Sequence, residues 1–125
     1  MGRKMSALIL IFITIVLAIS GQLAMKKGMN NIGEISIKDF FSQKLFTIVF
    51  EKFVFVGILL YAISAIFWLA TLSQEELSFA YPIISIGYII TAILSKILFK
   101  EHLTMFRIIG IILIVAGVYF VVMKW

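Results

Sequence analysis

Leu77 to Ser95 is a run of 19 residues without a formal charge. Roughly 20 mostly apolar residues cross the hydrocarbon core of a bilayer, so this run is long enough to span one. Its interior is patterned. At 100° per residue Ser78, Tyr81, Ser85, Tyr88, Ala92 and Ser95 fall on one side, with Lys96 in the same arc. Phe79, Ile83, Ile86, Ile90, Ile93 and Leu94 take the other side. Polar groups are costly in hydrocarbon unless satisfied, so the hydroxyl stripe is expected to face protein, water or a ligand. A helix–helix seam built on small residues is the plain alternative. Two tyrosines and a terminal lysine on that face favour a lined cavity. Pro82 removes one backbone donor and frees a carbonyl one turn earlier, which predicts a kink.

Three further apolar runs flank this one. The predicted spans are about 5–25, 53–72, 77–96 and 105–123, giving an all-α integral membrane protein of four transmembrane helices. Composition agrees: 63% of the 125 residues are hydrophobic and the mean hydropathy is +1.18. A soluble domain of this size has no interior large enough to hide that much apolar surface. The N-terminal Met-Gly-Arg-Lys before an apolar run resembles a signal peptide. The run ends in Met25-Lys26-Lys27 without a small-residue cleavage pattern, so it is read as a retained span. There are no cysteines, which excludes disulfides and thiolate metal sites.

In the first span Thr14, Ala18 and Gln22 recur every four residues and share a face, with Lys26 next in line. Gly28 is expected to help end that helix. Residues 26–52 form the long connection. Ile37, Phe40, Phe41 and Leu45 recur there at helical spacing, predicting a short amphipathic helix at the interface. Ser36 is its expected N-cap, with Asp39 three residues on. In the second span Tyr61, Ser64 and Trp68 share a face. Ser73-Gln74-Glu75-Glu76 is a short turn, so the second and third spans are antiparallel neighbours. In the fourth, Gly110 and Gly117 are seven residues apart on one face, a pattern that permits close contact with another subunit.

The carboxylates Glu34, Asp39, Glu51, Glu75, Glu76 and Glu101 all lie in loops or at span ends. No HExxH, P-loop or Ser–His–Asp pattern occurs. His102, the one histidine, is expected to be a solvated loop residue. The sequence therefore predicts neither an enzyme nor a metal or cofactor site. The net charge of +5 reads as juxtamembrane lysine and arginine rather than nucleic-acid binding.

Three segments together carry a family resemblance. They are Gly21-Gln22 with Lys26-Lys27-Gly28; Leu60-Tyr61-Ala62-Ile63-Ser64 with Trp68-Leu69; and Leu77-Ser78-Phe79-Ala80-Tyr81-Pro82 through Ser85 to Glu101, followed by Gly110-Ile111 and Gly117-Val118. The chain resembles the four-helix EamA-like branch of the drug/metabolite transporter superfamily. It is similar to the subunits of aminoarabinose–polyprenyl-phosphate flippases, and more distantly to small multidrug resistance exporters. The resemblance covers nearly the whole chain except residues 29–50. It implies a multi-pass transporter of the bacterial cytoplasmic membrane, moving a lipid-linked sugar or similar headgroup, alone as a homodimer or with a heteromeric partner. An exporter of small metabolites or organic cations, an accessory subunit and a structural scaffold remain alternatives. One departure bears on mechanism. The multidrug exporters carry a membrane-embedded glutamate in their first helix, and matching Gly21 and Met25-Lys26 places that position at Ala18.

The resulting expectation is one groove lined by Gln22, Tyr61, Ser64, Trp68, Tyr81, Ser85 and Tyr88, with Lys26 and Lys96 at its mouth to take a phosphate. Alternating spans place three basic residues on one side (Arg3, Lys4 and Lys124). The other side holds eight: Lys26, Lys27, Lys38, Lys44, Lys52, Lys96, Lys100 and Arg107. Positive-inside counting puts the eight in the cytoplasm and both termini outside.

Overall fold

The computed structural model describes residues 2–123, with side-chain surroundings from residue 6 onward. Lys124, used in the orientation count, lies outside the described residues. Every described element is helical: α1 (Gly2–Ile32), a 3-10 turn (Ile37–Phe41), α2 (Lys44–Val49), α3 (Lys52–Gln74), α4 (Leu77–Ile84), α5 (Ile86–Phe99) and α6 (Met105–Val122). Four helical stretches are long and apolar enough to cross a membrane, with α4 and α5 together forming the third. The all-α, four-span class is the one the sequence predicts.

Helix α1 is longer than its apolar run suggests. Its 31 residues cover about 46 Å at 1.5 Å per residue, against a hydrocarbon core of roughly 30 Å. It carries Lys26 and Lys27 on its final turns and ends only at Gly33, which adopts φ +98°. The Gly33 N–H closes the last turn on the Met29 carbonyl at 2.8 Å. Gly28 therefore does not terminate the helix. A Cβ there would meet the Glu51 carboxylate and lie 2.7 Å from Val54 N, so Gly28 is a point of close approach to α3.

Two more glycines do the same two turns back along α1. A Cβ on Gly21 would lie 2.8 Å from the Gly57 carbonyl oxygen and 3.0 Å from Tyr61 N. A Cβ on Gly57 would lie 2.5 Å from the Gly21 carbonyl oxygen and 2.8 Å from Met25 N. The backbones of α1 and α3 thus touch directly, as small residues allow in membrane helices. Glu51 starts α3, its carboxylate accepting from Phe53 N (3.1 Å) and Val54 N (3.3 Å). Nearby, the Lys27 and Lys52 ammonium groups lie 4.9 and 5.2 Å from the centre of the Phe53 ring.

The connection differs in form from the single amphipathic helix expected. Residues 37–41 make a 3-10 turn and α2 follows separately. Asp39 accepts the Ser36 N–H at 3.0 Å, the return half of the anticipated cap, and pairs with Lys44 at 3.9 Å. Phe46, Phe50 and Phe55 stack in sequence and stay exposed.

Helix α1 packs on α3, α4 and α5, while α6 packs on α4 and α5 from outside. The buried centre joins Ile11 of α1 to Ala80 and Ile83 of α4, with Ile15 and Trp68 against them. Val118 is the buried residue of α6, and a Cβ on Gly110 or Gly117 would meet open space. These packing facts give a stability prediction. Gly57→Leu forces a side chain into the α1 backbone, where overpacking costs about 1–3 kcal/mol or more. Its unfolding midpoint in detergent should fall by several degrees or the protein should fail to fold, while Gly110→Ala should match the parent. An unchanged midpoint for Gly57→Leu would disprove the backbone contact.

Candidate functional site

The glycine contact fixes which residues of α1 and α3 lie side by side. Around this contact Thr14, Ala18 and Gln22 of α1 line the same cavity as Tyr61, Ser64 and Trp68 of α3, in opposite chain order because the helices run antiparallel.

The third span supplies the remaining wall, and its backbone is broken. Helix α4 ends at Ile84 and α5 starts at Ile86. At the join the ladder shifts to i→i−3 bonds, Ser85 N to Pro82 O at 3.1 Å and Tyr88 N to Ser85 O at 3.0 Å. Pro82 has no N–H to give, and the Ser85 hydroxyl donates back to the Pro82 carbonyl. The tightened turn winds α5 ahead of an unbroken helix. The polar face consequently runs Tyr81, Ser85, Tyr88, Thr91. Ser78, Ala92 and Ser95, which an ideal helix puts on that stripe, do not line the cavity. Thr91 is the lining residue that uniform 100° spacing missed.

Together the three spans line a cavity of about 360 Å³, open on one side and within the range of small-ligand sites. It is lined by Gln22, Tyr61, Ser64, Trp68, Tyr81, Ser85 and Tyr88, all seven groove residues expected from sequence, along with Thr14, Ala18 and Thr91. Lys26 and Lys96 are not among the lining residues; both are exposed, Lys26 one turn beyond Gln22 and Lys96 five residues beyond Thr91. Trp68 and Tyr81 meet edge to face at 6.2 Å, joining α3 to α4 at the end nearest the 75–76 turn.

The chemistry of the lining is one-sided. Thr14 donates its hydroxyl to the Leu10 carbonyl at 2.8 Å, Ser64 to Tyr61 at 2.6 Å and Thr91 to Gly87 at 2.8 Å, as Ser85 does to Pro82. Each hydroxyl spends its proton within its own helix and keeps acceptor lone pairs. The uncommitted polar groups are the Gln22 amide and the tyrosine phenols, on exposed residues, and the indole N–H of half-buried Trp68, which can only donate. No lining residue carries a formal charge. No group of three or more His, Cys, Asp or Glu able to hold a metal occurs among the described residues.

Comparison with known proteins places the chain. The profile of the EamA-like transporter family matches residues 2–123. The chain belongs to that family. It is 36% identical over 108 residues to a probable 4-amino-4-deoxy-L-arabinose-phosphoundecaprenol flippase subunit ArnF of Proteus mirabilis, covering 82% of this chain and 81% of the relative. The ArnF of Serratia proteamaculans, similarly named, is 32% identical over 112 residues, covering 86% and 85%. A probable ArnE subunit of the same kind of flippase, from Erwinia tasmaniensis, is 34% identical over 62 residues, half of this chain and 57% of its own. No solved structure gives a significant match. Within this EamA-like transporter Ala18 lines the cavity, and none of the lining residues is a carboxylate.

Proposed function

We propose that this transporter is a flippase subunit that moves an amino-sugar headgroup, carried on a polyprenyl phosphate, across the bacterial cytoplasmic membrane. One observation carries the reading: a cavity at membrane depth that is uncharged, rich in acceptors and walled by Trp68 and three tyrosines. A charge buried in a membrane protein needs a partner. A glycosyl phosphodiester bears one negative charge and a protonated amino sugar one positive charge. Such a headgroup is neutral overall and brings its own counter-ion. Acceptor oxygens meet the ammonium and sugar hydroxyls, and aromatic faces add cation–π attraction of about 0.5–2 kcal/mol. The relatives named as aminoarabinose-phosphoundecaprenol flippase subunits agree with this chemistry.

Lys26 and Lys96 lie past the cavity on the side that charge counting assigns to the cytoplasm. There an ammonium can pair with the phosphate while the headgroup enters, and consumption of the product on the far side can drive the movement. Terminal reporter fusions that place both ends in the cytoplasm would overturn this orientation. Export of organic cations by proton exchange is the weaker reading, because no carboxylate or histidine lines the cavity around Ala18.

Tyr61, Tyr81 and Tyr88 remain 46%, 64% and 48% exposed, so the cavity lacks one wall. A second copy or a related subunit supplies it, joined through the Gly110/Gly117 face of α6. Gly117→Leu should reduce crosslinked dimer or heteromer several-fold at unchanged membrane abundance. Full crosslinking of that variant would exclude this face.

Translocation tests the site. Inverted vesicles carrying the lipid-linked amino sugar in their outer, cytoplasmic leaflet are followed by an impermeant amine reagent added outside. The parent, with its partner, should protect the amine with time. Lys96→Ala and Lys96→Gln should be slowed tenfold or more, and Lys96→Arg should keep part of the rate, since a cation and not a hydrogen bond is required. Absence of translocation by the parent refutes the flippase reading. Parent-like rates in all three variants refute phosphate capture by Lys96, leaving it a lysine that snorkels to the interface.

A further inference from the structure

A second concavity lies on the opposite side of the seam between α1 and the α4–α5 span. Its volume is about 480 Å³. Phe12 and Val16 of α1 line it together with Ile86, Ile90 and Leu94 of α5, and Ser20 is its one polar lining residue. No residue of α3 or α6 lines it. From Ile83 to Leu94 its wall follows eleven residues, about 16 Å of helix.

Two side chains, Ile15 and Ile19, line both this groove and the polar cavity. They rest on Gly87, where a Cβ would lie 3.3 Å from Ile15 Cγ2 and 3.5 Å from Ile19 Cδ1. A thin aliphatic partition therefore separates a polar site from an apolar one. Both run toward the same end of the bundle. Gln22 and Thr91 mark the cytoplasm-assigned end of the cavity, and Ser20 and Leu94 that of the groove. Lys96 follows Leu94 by two residues.

The structure assigns this groove to the isoprenoid chain of a lipid-linked substrate whose headgroup occupies the polar cavity. The assignment rests on the flippase reading and adds a seat for the tail. The lipid straddles the α1–α5 seam: sugar on one side, chain on the other, phosphate at the shared rim beside Lys96. The phosphate then never passes through the aliphatic partition, where desolvation would oppose it. Ordinary acyl chains gain little here, because bulk lipid is as apolar as the groove. Branched, unsaturated isoprenoid chains have fewer conformations to lose on ordering. Most groove residues are β-branched and stiff at χ1, so the groove holds its shape without a ligand.

The test is chain dependence of binding to purified protein in nanodiscs. Three amino-sugar phosphate probes are compared: a short isoprenoid, a long isoprenoid and a saturated straight chain of equal carbon number. The long isoprenoid should bind at least about tenfold tighter than either of the others. Ile90→Trp fills the groove and should erase that gain while leaving short-chain binding unchanged. A diazirine on the long chain of the parent's ligand should label the α5 segment around Ile86 and Ile90, a readout that needs no variant. Equal affinity for all three chains, or labelling spread over α6 and other lipid-facing residues, overturns the groove assignment and leaves the headgroup site standing. Failure of every probe to bind overturns both.

Discussion

Direct backbone contact between α1 and α3 determines where the other helices can lie. Gly21 and Gly57 place each helix's carbonyl where the other would carry a Cβ, and Gly28 repeats the approach beside Val54 and Glu51. In lipid no hydrophobic driving force brings helices together, so association depends on packing and on the closeness that small residues permit. The same contact sets register. A slip of one residue along α1 would turn Ala18 and Gln22 away from Ser64 and Tyr61. The cavity is thus a by-product of a packing solution between two helices that are otherwise mostly apolar.

The third span meets this pair differently. Ile15 and Ile19 touch Gly87 through side chains alone, and the Trp68–Tyr81 edge contact bridges α3 and α4. Pro82 and the i→i−3 bonds around Ser85 interrupt the ladder level with the cavity. Helical irregularity at membrane depth persists where the freed backbone is buried in protein or lines a cavity. Here it also rotates Thr91 into the lining. The bundle therefore combines a tightly locked hairpin, α1–α3, with a broken span held against it by aliphatic and aromatic surfaces.

Much of this was readable from residue spacing. Thr14, Ala18 and Gln22 at intervals of four, and Tyr61, Ser64 and Trp68 at i, i+3 and i+7, identify their faces without a structure, because α1 and α3 are regular helices. In the third span the spacing identifies Tyr81, Ser85 and Tyr88, but Ser78 lies beyond the end of the cavity, and past the break a uniform turn angle fails, so it selects Ala92 and Ser95 in place of Thr91. Gly28 was misread for another reason. Glycine ends helices and also lets them touch, and only the position of Val54 and Glu51 decides between the two. The importance of Gly57 and the apolar groove behind Ile15 and Ile19 had no local signal, since both arise from contacts between distant segments.

The account depends most on the match between an uncharged cavity and a headgroup that carries both charges. Trp68 lines the cavity and reports on it directly. The decisive measurement is quenching of its fluorescence, against a Trp125→Phe background, by two soluble glycosyl phosphodiesters that differ only in bearing an amino or a hydroxyl group on the sugar. Without the amine the ligand loses the ammonium that the acceptor oxygens and aromatic faces of the cavity hold, while its phosphate stays outside beside Lys96. The amino form should bind at least about tenfold tighter, equivalent to about 1.4 kcal/mol. Equal affinities, or preference for the hydroxyl form, would contradict the account.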